Sequence, residues 1–249
     1  MDYLLEDFLD LGITKPVKKS FKHALTDVTR ERFGIFVFSD NNYDYDFIPF
    51  DNLDKKNPNH FTVDNSKFLK FYLNKKIISL FHTHIETDVN PSKQDIAIAE
   101  SLGLPSYIFS TKNKESFLYY PENYKPVDLY DRIFIPFFQD CVSFVKDFYF
   151  LNFKLNFNTL VKDWSRSRIN SNDKLINSII NHFNEVDKNY LKYGDLILFK
   201  PEISNLYHLG VIDQDNLLSH HPIGSKPTKN LFNDKMSNKV YKCYRYKDL

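Results

Sequence analysis

The sequence predicts an α+β protein of two domains, residues 1–123 and 124–249. Three observations carry this expectation. Short apolar runs alternate with stretches of helical period along both halves. A proline-bounded stretch, Pro121 to Pro126, separates the halves and has the composition of a linker. Each half also holds its own set of reactive side chains, and the two sets do not overlap. At 249 residues the chain is long enough for each half, about 120 residues, to bury a core.

Residues 17–32 have the pattern of a helix, and Phe33 to Phe38 that of a buried strand with Phe47 to Phe50 as its partner. Asp64 to Asn74 reads as a helix through Phe68, Leu69, Tyr72 and Leu73. Ile77 to Phe81 is a second buried strand, ending at His82-Thr83-His84. Ser92 opens a helix that runs to Leu102, and Tyr107 to Ser110 and Phe117 to Tyr120 complete this half. In the second half a helix from Asp140 to Phe150 carries Cys141 in its first turn. One helix is predicted over Asn172 to Val186, with Leu175, Ile176, Ile179, Ile180, Phe183 and Val186 on one face. Strands follow at Asp195 to Phe199, Tyr207 to Ile212, Asn216 to His220 and Val240 to Tyr246.

Composition removes several classes of function. Lys plus Arg (33) balances Asp plus Glu (32), so the basic excess that tracks a nucleic-acid backbone is lacking and no nucleic-acid partner is expected. No apolar run approaches the length that spans a bilayer, so no membrane partner is expected either. Two cysteines are too few for a disulfide framework and fit a chain made in a reducing cytoplasm. Acids interrupt the apolar residues of the first ten positions, a pattern unlike a secretory signal.

His82 and His84 stand two apart at a strand end, so their side chains leave the same face and can converge on one ion. Asp95 follows in the first turn of the next helix, with Pro91 fixing where that helix starts. Two imidazoles and a carboxylate suit Zn²⁺ with one position open, as in catalytic sites. Ser92-x-x-Asp95 is also a helix-capping pattern, and the two roles are compatible. The string resembles the JAMM metallopeptidase signature, an upstream Glu followed by H-[ST]-H-x7-S-x2-D. That resemblance implies zinc held by His82, His84 and Asp95, Glu31 as the base, and Ser92 helping to hold an oxyanion. Glu31 is placed through Glu31-Arg32-Phe33-Gly34, similar to the family's E-x-x-G; Ile85 stands where a Pro often follows the second His.

At a helix start the unpaired amides and the dipole favour a thiolate at Cys141. A hairpin centred on Gln214 would set His208 opposite His220, with Cβ atoms about 5 Å apart, whereas a two-residue turn would bring His221 opposite instead. Asp140-Cys141-Val142-Ser143-Phe144-Val145, Gly194-Asp195-Leu196-Ile197 and His208-Leu209-Gly210-Val211, with a polar residue twelve after the His, resemble the NlpC-type cysteine peptidases. The resemblance implies a papain-like fold, Cys141 as nucleophile, His208 as base and His220 as the orienting group, acting on cell-wall peptides. Val142-Ser143 replaces a common Ser-Gly, and Tyr130 is the nearest upstream candidate for an oxyanion donor.

A JAMM-like α/β/α domain followed by an NlpC-type domain resembles the K-type tail assembly proteins of lambda-like siphophages, from Ala24 to Arg245. Asp131-Arg132-Ile133-Phe134 and the doubled His220-His221 agree with it. The resemblance implies a peptidase of the virion tail tip, made in the host cytoplasm, with other tail-tip proteins and host peptidoglycan as partners. An inactive structural tail component and a cellular hydrolase of ubiquitin-like tags are the alternatives.

Overall fold

Two separate sheets organise the chain, and its described residues fall into two compact units, 14–125 and 126–249. The computed structural model describes residues 14–39, 44–74, 76–86, 88–126, 128–135, 139–157, 172–200 and 207–249. Among them no helix is long and apolar enough to cross a membrane.

The first unit opens with α1 (Lys15–Leu25), which carries Pro16 in its first turn and buries Val17, Phe21 and Ala24. It stops seven residues short of the predicted end. Asp27 turns its carboxylate onto the amide and hydroxyl of Thr29, a local bond that competes with the helical ladder. The strands β1 (Phe33–Phe38), β2 (Tyr45–Phe50), β3 (Ile77–His84), β4 (Ser106–Ser110) and β5 (Ser116–Tyr119) form a sheet in the order β2-β1-β3-β4-β5. Only β3 and β4 pair in parallel, joined by the crossover helix α3 (Lys93–Leu102), which closes on Gly103 at a φ of 66°. Helix α2 (Asn65–Leu73) is capped by Asp64, whose carboxylate accepts from the amides of Ser66 and Lys67.

Alternation along β1 splits the core into two layers. Phe33, Ile35 and Val37 pack with Leu80, Phe68, Tyr72 and Ile98 on the face that α2 and α3 cover. On the other face Phe36, Phe47 and Phe81 meet tilted or edge-to-face at ring separations of 5.2–6.2 Å, and Phe21 of α1 meets Tyr107 and Phe109. The Phe47 ring lies directly over Gly34, the one position of β1 where a side chain has no room.

The second unit begins with α4 (Cys141–Phe153), buried without a break from Cys141 to Tyr149. A helix apolar nearly all round belongs inside a core, and α4 lies on the sheet strands β8 and β9. The sheet comprises β6 (Phe183–Val186), β7 (Leu196–Phe199), β8 (His208–Ile212), β9 (Leu217–His220), β10 (Thr228–Leu231) and β11 (Val240–Tyr246). They stand in the order β10-β9-β8-β7-β11-β6 and pair antiparallel throughout. Helix α5 (Asn172–His182) precedes β6, and the short α6 (Asp234–Ser237) precedes β11. Buried Asp195 is neutralised by a two-pronged bond from Arg245, Nε to Oδ1 at 2.8 Å and an NH2 to Oδ2 at 2.7 Å, which locks β11 to the start of β7.

Two differences from the sequence reading stand out. The single helix predicted over Asn172 to Val186 breaks at His182, because Phe183 to Val186 pair with Tyr246 to Cys243 of β11 and gain a ladder that a helix would forgo. Ile180 is therefore half exposed, while Leu175, Ile176 and Ile179 stay in the core. Strand β10 was not expected at all; Thr228-Lys229-Asn230-Leu231 has no apolar alternation to betray it, as suits an edge strand.

Gly34→Ala should destabilise the protein by about 1–3 kcal/mol, since the added methyl must displace the Phe47 ring from a filled layer. A thermal melt matching the wild type would show that the ring moves aside freely.

Candidate active sites

In the first unit, Thr83 decides what stands beside the paired histidines. Its hydroxyl accepts from the Arg32 amide at 2.8 Å and its own amide donates to the Arg32 carbonyl at 3.0 Å, so the segment bearing Glu31 is tied to the end of β3. Asn52 Nδ2 and Pro58 hold the Glu31 backbone from the other side. Glu31 is buried and lines a cavity of about 330 Å³ with His60, Phe61, His84, Ser92 and Asp95. Burial pushes its carboxyl up from the ordinary value, His82 and His84 oppose that, and Asp95 adds to it.

His82 and His84 turn their Nε2 atoms toward each other at 3.3 Å. Asp95 completes the triangle, Oδ1 at 3.2 Å from His82 Nε2 and Oδ2 at 3.4 Å from His84 Nε2. A tetrahedral zinc site with bonds of about 2.0–2.1 Å has ligand-to-ligand edges of about 3.3–3.4 Å. The two imidazole nitrogens stand at that edge length, and the carboxylate presents a different oxygen to each of them at a similar distance. Behind them, His84 Nδ1 donates to the Asp88 carbonyl at 2.8 Å and His82 Nδ1 faces Ser106 Oγ at 3.5 Å, so each ring is held from behind with its Nε2 turned toward Asp95. This donor set fits Zn²⁺, and it is the one such His, Cys, Asp or Glu group among the described residues.

Ser92 caps α3. Its Oγ accepts from the Asp95 amide at 3.2 Å while Asp95 Oδ2 accepts from the Ser92 amide at 2.7 Å, so the cap itself aims the carboxylate at the histidines. Burial would raise the Asp95 carboxyl, but bonds from His82, His84 and Ser92 hold it well below the usual range. His60, unremarkable in sequence because it sits in an irregular loop, also faces this cavity. Its Nδ1 donates to Asp54 Oδ2 at 2.8 Å, and its Nε2 is 2.9 Å from Gln94 Nε2 of α3. Amides of Asn57 and Lys56 together with His60 hold Asp54 down to about 2.

In the second unit Cys141 is the first residue of α4 and nearly buried. Asp140 caps the helix, its carboxylate accepting from the amides of Val142 and Ser143 while Ser143 Oγ accepts from the Asp140 amide. Two of the amides that the sequence reading offered to a thiolate are therefore spent on Asp140, and the helix dipole remains. His208 opens β8, with Nε2 at 2.8 Å from His220 Nδ1.

The expected register is corrected by two positions along β8, because the hairpin is centred one residue later than Gln214. Asp213 pairs with Leu217, and the three residues between end in Asn216 at a φ of 58°, a type I turn closed by a left-handed residue. Gly210, not His208, therefore lies opposite His220. His208 is the diagonal neighbour, within reach of an aromatic ring. The missing side chain of Gly210 makes that reach possible, because a Cβ there would come within 3.1 Å of His220 Cβ and 2.7 Å of Leu218 Cδ1. His221 turns the other way, edge-on to Phe134 and Phe144, with Nε2 at 3.0 Å from the Ser225 carbonyl. Tyr130 directs its hydroxyl to Ser219 Oγ at 2.9 Å, and Ser219 in turn donates to Asp213. The far nitrogen of His220, Nε2, meets Asn230 Nδ2 at 2.9 Å and Thr228 Oγ1 at 3.2 Å, two partners that no sequence signal marked.

No family model matches the chain, and no curated protein matches it. Among solved structures it is similar to the solution structure of protein DSY2949 from Desulfitobacterium hafniense, at 24% identity over 43% of this chain and 81% of that one, with a TM-score of 0.34. It is also similar to the crystal structure of an NlpC/P60 family protein from Bacillus cereus ATCC 10987, at 12% identity over 92% of this chain and 66% of that one, with a TM-score of 0.29. Both are distant likenesses, and the chemistry of the two sites is taken from neither.

Burial holds His220 and His221 neutral, each with its proton affinity pushed down to about 4. An unfolded histidine titrates near 6.5, so between pH 6.5 and 4 the unfolded chain binds more protons and acid must weaken the fold, by on the order of 2–3 kcal/mol for each ring. Denaturant unfolding at pH 7 and pH 4.5 should show that loss. His221→Gln should remove about half of it, and an undiminished loss in that variant would contradict the assignment.

Proposed function

We propose that the chain is a two-site peptidase, a zinc-dependent hydrolase of isopeptidase type in the first unit and a cysteine endopeptidase on peptidoglycan in the second. The observation that carries the first half is the convergence of His82 Nε2, His84 Nε2 and the Asp95 carboxylate at separations of 3.2–3.4 Å. These three would hold the ion. Zinc, when bound, supplies a Lewis acid and makes water acidic enough to attack near neutral pH. Glu31, raised by burial, can take the proton of the nucleophile and return it to the leaving amine. Ser92 Oγ already accepts from Asp95 and keeps its own proton to donate to a developing oxyanion.

In the second half the bond between His208 and His220 supports a thiol mechanism, since a nucleophile needs a base that is itself held. His208 takes the Cys141 thiol proton as Sγ bonds to the peptide carbonyl carbon, gives it to the amine as the C–N bond breaks, and water then hydrolyses the thioester to restore the thiol. The order of the two sites, metal first and thiol second, supports a place in a phage tail tip, where a virion would deliver the enzyme to the wall of the next host. Tail-tip proteins would be its neighbours.

Purified protein should carry about one zinc per chain by elemental analysis, and His84→Ala or Asp95→Ala should lose it, because two protein ligands hold zinc poorly. Glu31→Gln should keep the metal and lose turnover by about 10²–10⁴-fold. Stoichiometric zinc in both ligand variants would remove the site.

Cleavage of purified peptidoglycan by the whole chain, read by mass spectrometry, should stop in Cys141→Ala and continue in a zinc chelator. The reverse pattern would move the lytic chemistry to the first unit. Absence of both activities from the wild-type protein would leave a structural tail component.

A further inference from the structure

The cavity beside the metal ligands has a polar wall that the zinc chemistry does not use. His60 on an irregular loop and Gln94 on the first turn of α3 form it, and both line the same space as Glu31, Ser92 and Asp95. The loop is fastened to the base. Asn52 Nδ2 donates to the Glu31 carbonyl and to the His60 carbonyl, each at 2.9 Å, so one amide fixes the backbone of His60 relative to that of Glu31. Asp54 then orients the ring. Its Oδ1 accepts from the amides of Lys56 and Asn57, and its Oδ2 accepts from His60 Nδ1 at 2.8 Å. A carboxylate has no proton to give, so Nδ1 carries the proton and Nε2 of the neutral ring is left as an acceptor. The partner at the other end agrees, since Gln94 Nε2, which can only donate, stands 2.9 Å from His60 Nε2.

We propose that His60 Nε2 is the acceptor of a substrate subsite, taking a peptide N–H from the chain that flanks the bond to be cut, with the Gln94 amide standing in for that N–H when no substrate is bound. The inference deepens the metallopeptidase reading and rests on it. Gln94 is exposed, so its side chain can rotate away, and its amide N–H is chemically the same donor as a peptide N–H. The resting contact is therefore a template for the bound one. His60 lies outside the group of His82, His84 and Asp95 that would hold the metal, which leaves its lone pair to the substrate. Held from behind by Asp54 and tied through Asn52 to Glu31, this acceptor sets where a peptide lies relative to the base. The subsite thus favours a peptide amide over an ester at the position it reads.

Titration calorimetry on the zinc-loaded whole protein tests this with hydroxamates, whose two oxygens chelate the metal. The probes are N-acetyl-diglycine hydroxamate and its two analogues in which one or the other peptide N–H is replaced by an ester oxygen; acetohydroxamate, which has no peptide group, is the control. One ester analogue should bind about 3–10-fold more weakly than the parent, the size of one lost hydrogen bond. In His60→Ala that difference should vanish while acetohydroxamate binds as in the wild type. Gln94→Ala, which opens the acceptor, should hold the parent probe at least as tightly as the wild type does. Equal binding of all three probes by the wild type, a difference that survives in His60→Ala, loss of acetohydroxamate binding in that variant, or a parent probe weakened by Gln94→Ala would each overturn the inference. A wild type that takes up no zinc would instead sink the metallopeptidase reading and this subsite with it, and titration with zinc alone shows that before any hydroxamate is added.

Discussion

Both sites hang on the way a helix begins. The first turn of any helix leaves amides without partners, and the groups that satisfy them must stand at fixed positions just before and within that turn. In α3 the reciprocal bonds of Ser92 and Asp95 meet this need, and the same bonds aim the Asp95 carboxylate at two imidazoles on β3. In α4 the reciprocal pair is Asp140 and Ser143, and Cys141 stands between them as the first helical residue. Neither reactive group could shift by one residue without breaking a cap worth about 1 kcal/mol, so local helix chemistry and site geometry are a single constraint.

The four histidines of the two sites show how environment sorts one side chain into different tasks. In the first unit a backbone carbonyl takes the Nδ1 proton of His84 and Ser106 faces the Nδ1 of His82, which turns both Nε2 atoms toward a common point beside a carboxylate. Such a cluster welcomes a cation. In the second unit His220 meets Asn230 and Thr228 at Nε2 and another ring at Nδ1, and burial keeps it neutral.

Local pattern made much of this legible in sequence. His82, His84, Asp95 and Ser92 are bound by spacing along one strand and one helix turn, and strand alternation and capping rules fix their relative directions. Cys141 at a helix start follows from the apolar run after Asp140. The pairing of His208 with His220 was only half legible, since the register depended on whether Asn216 would adopt a left-handed conformation and lengthen the turn by one residue. What joins distant segments was invisible. Thr83 fastening the Glu31 segment, His60 crossing to Gln94 and Asn230 meeting His220 are contacts over 10 to 51 positions, and none leaves a periodic trace.

Gly210 shows why such long-range terms matter more than residue identity alone. A histidine twelve residues after another is a common enough spacing, but the bond between these two needs a diagonal approach across β8 and β9, past Gly210, where a Cβ would crowd Leu218 and the Cβ of His220. Crowding at Gly34 has the same origin in the other unit, where an absent side chain admits the Phe47 ring that packs β1 against β2 and β3. In each sheet one glycine therefore sets how closely an aromatic ring can approach its neighbours. At Gly34 that closeness serves the core; at Gly210 it serves the imidazole pair.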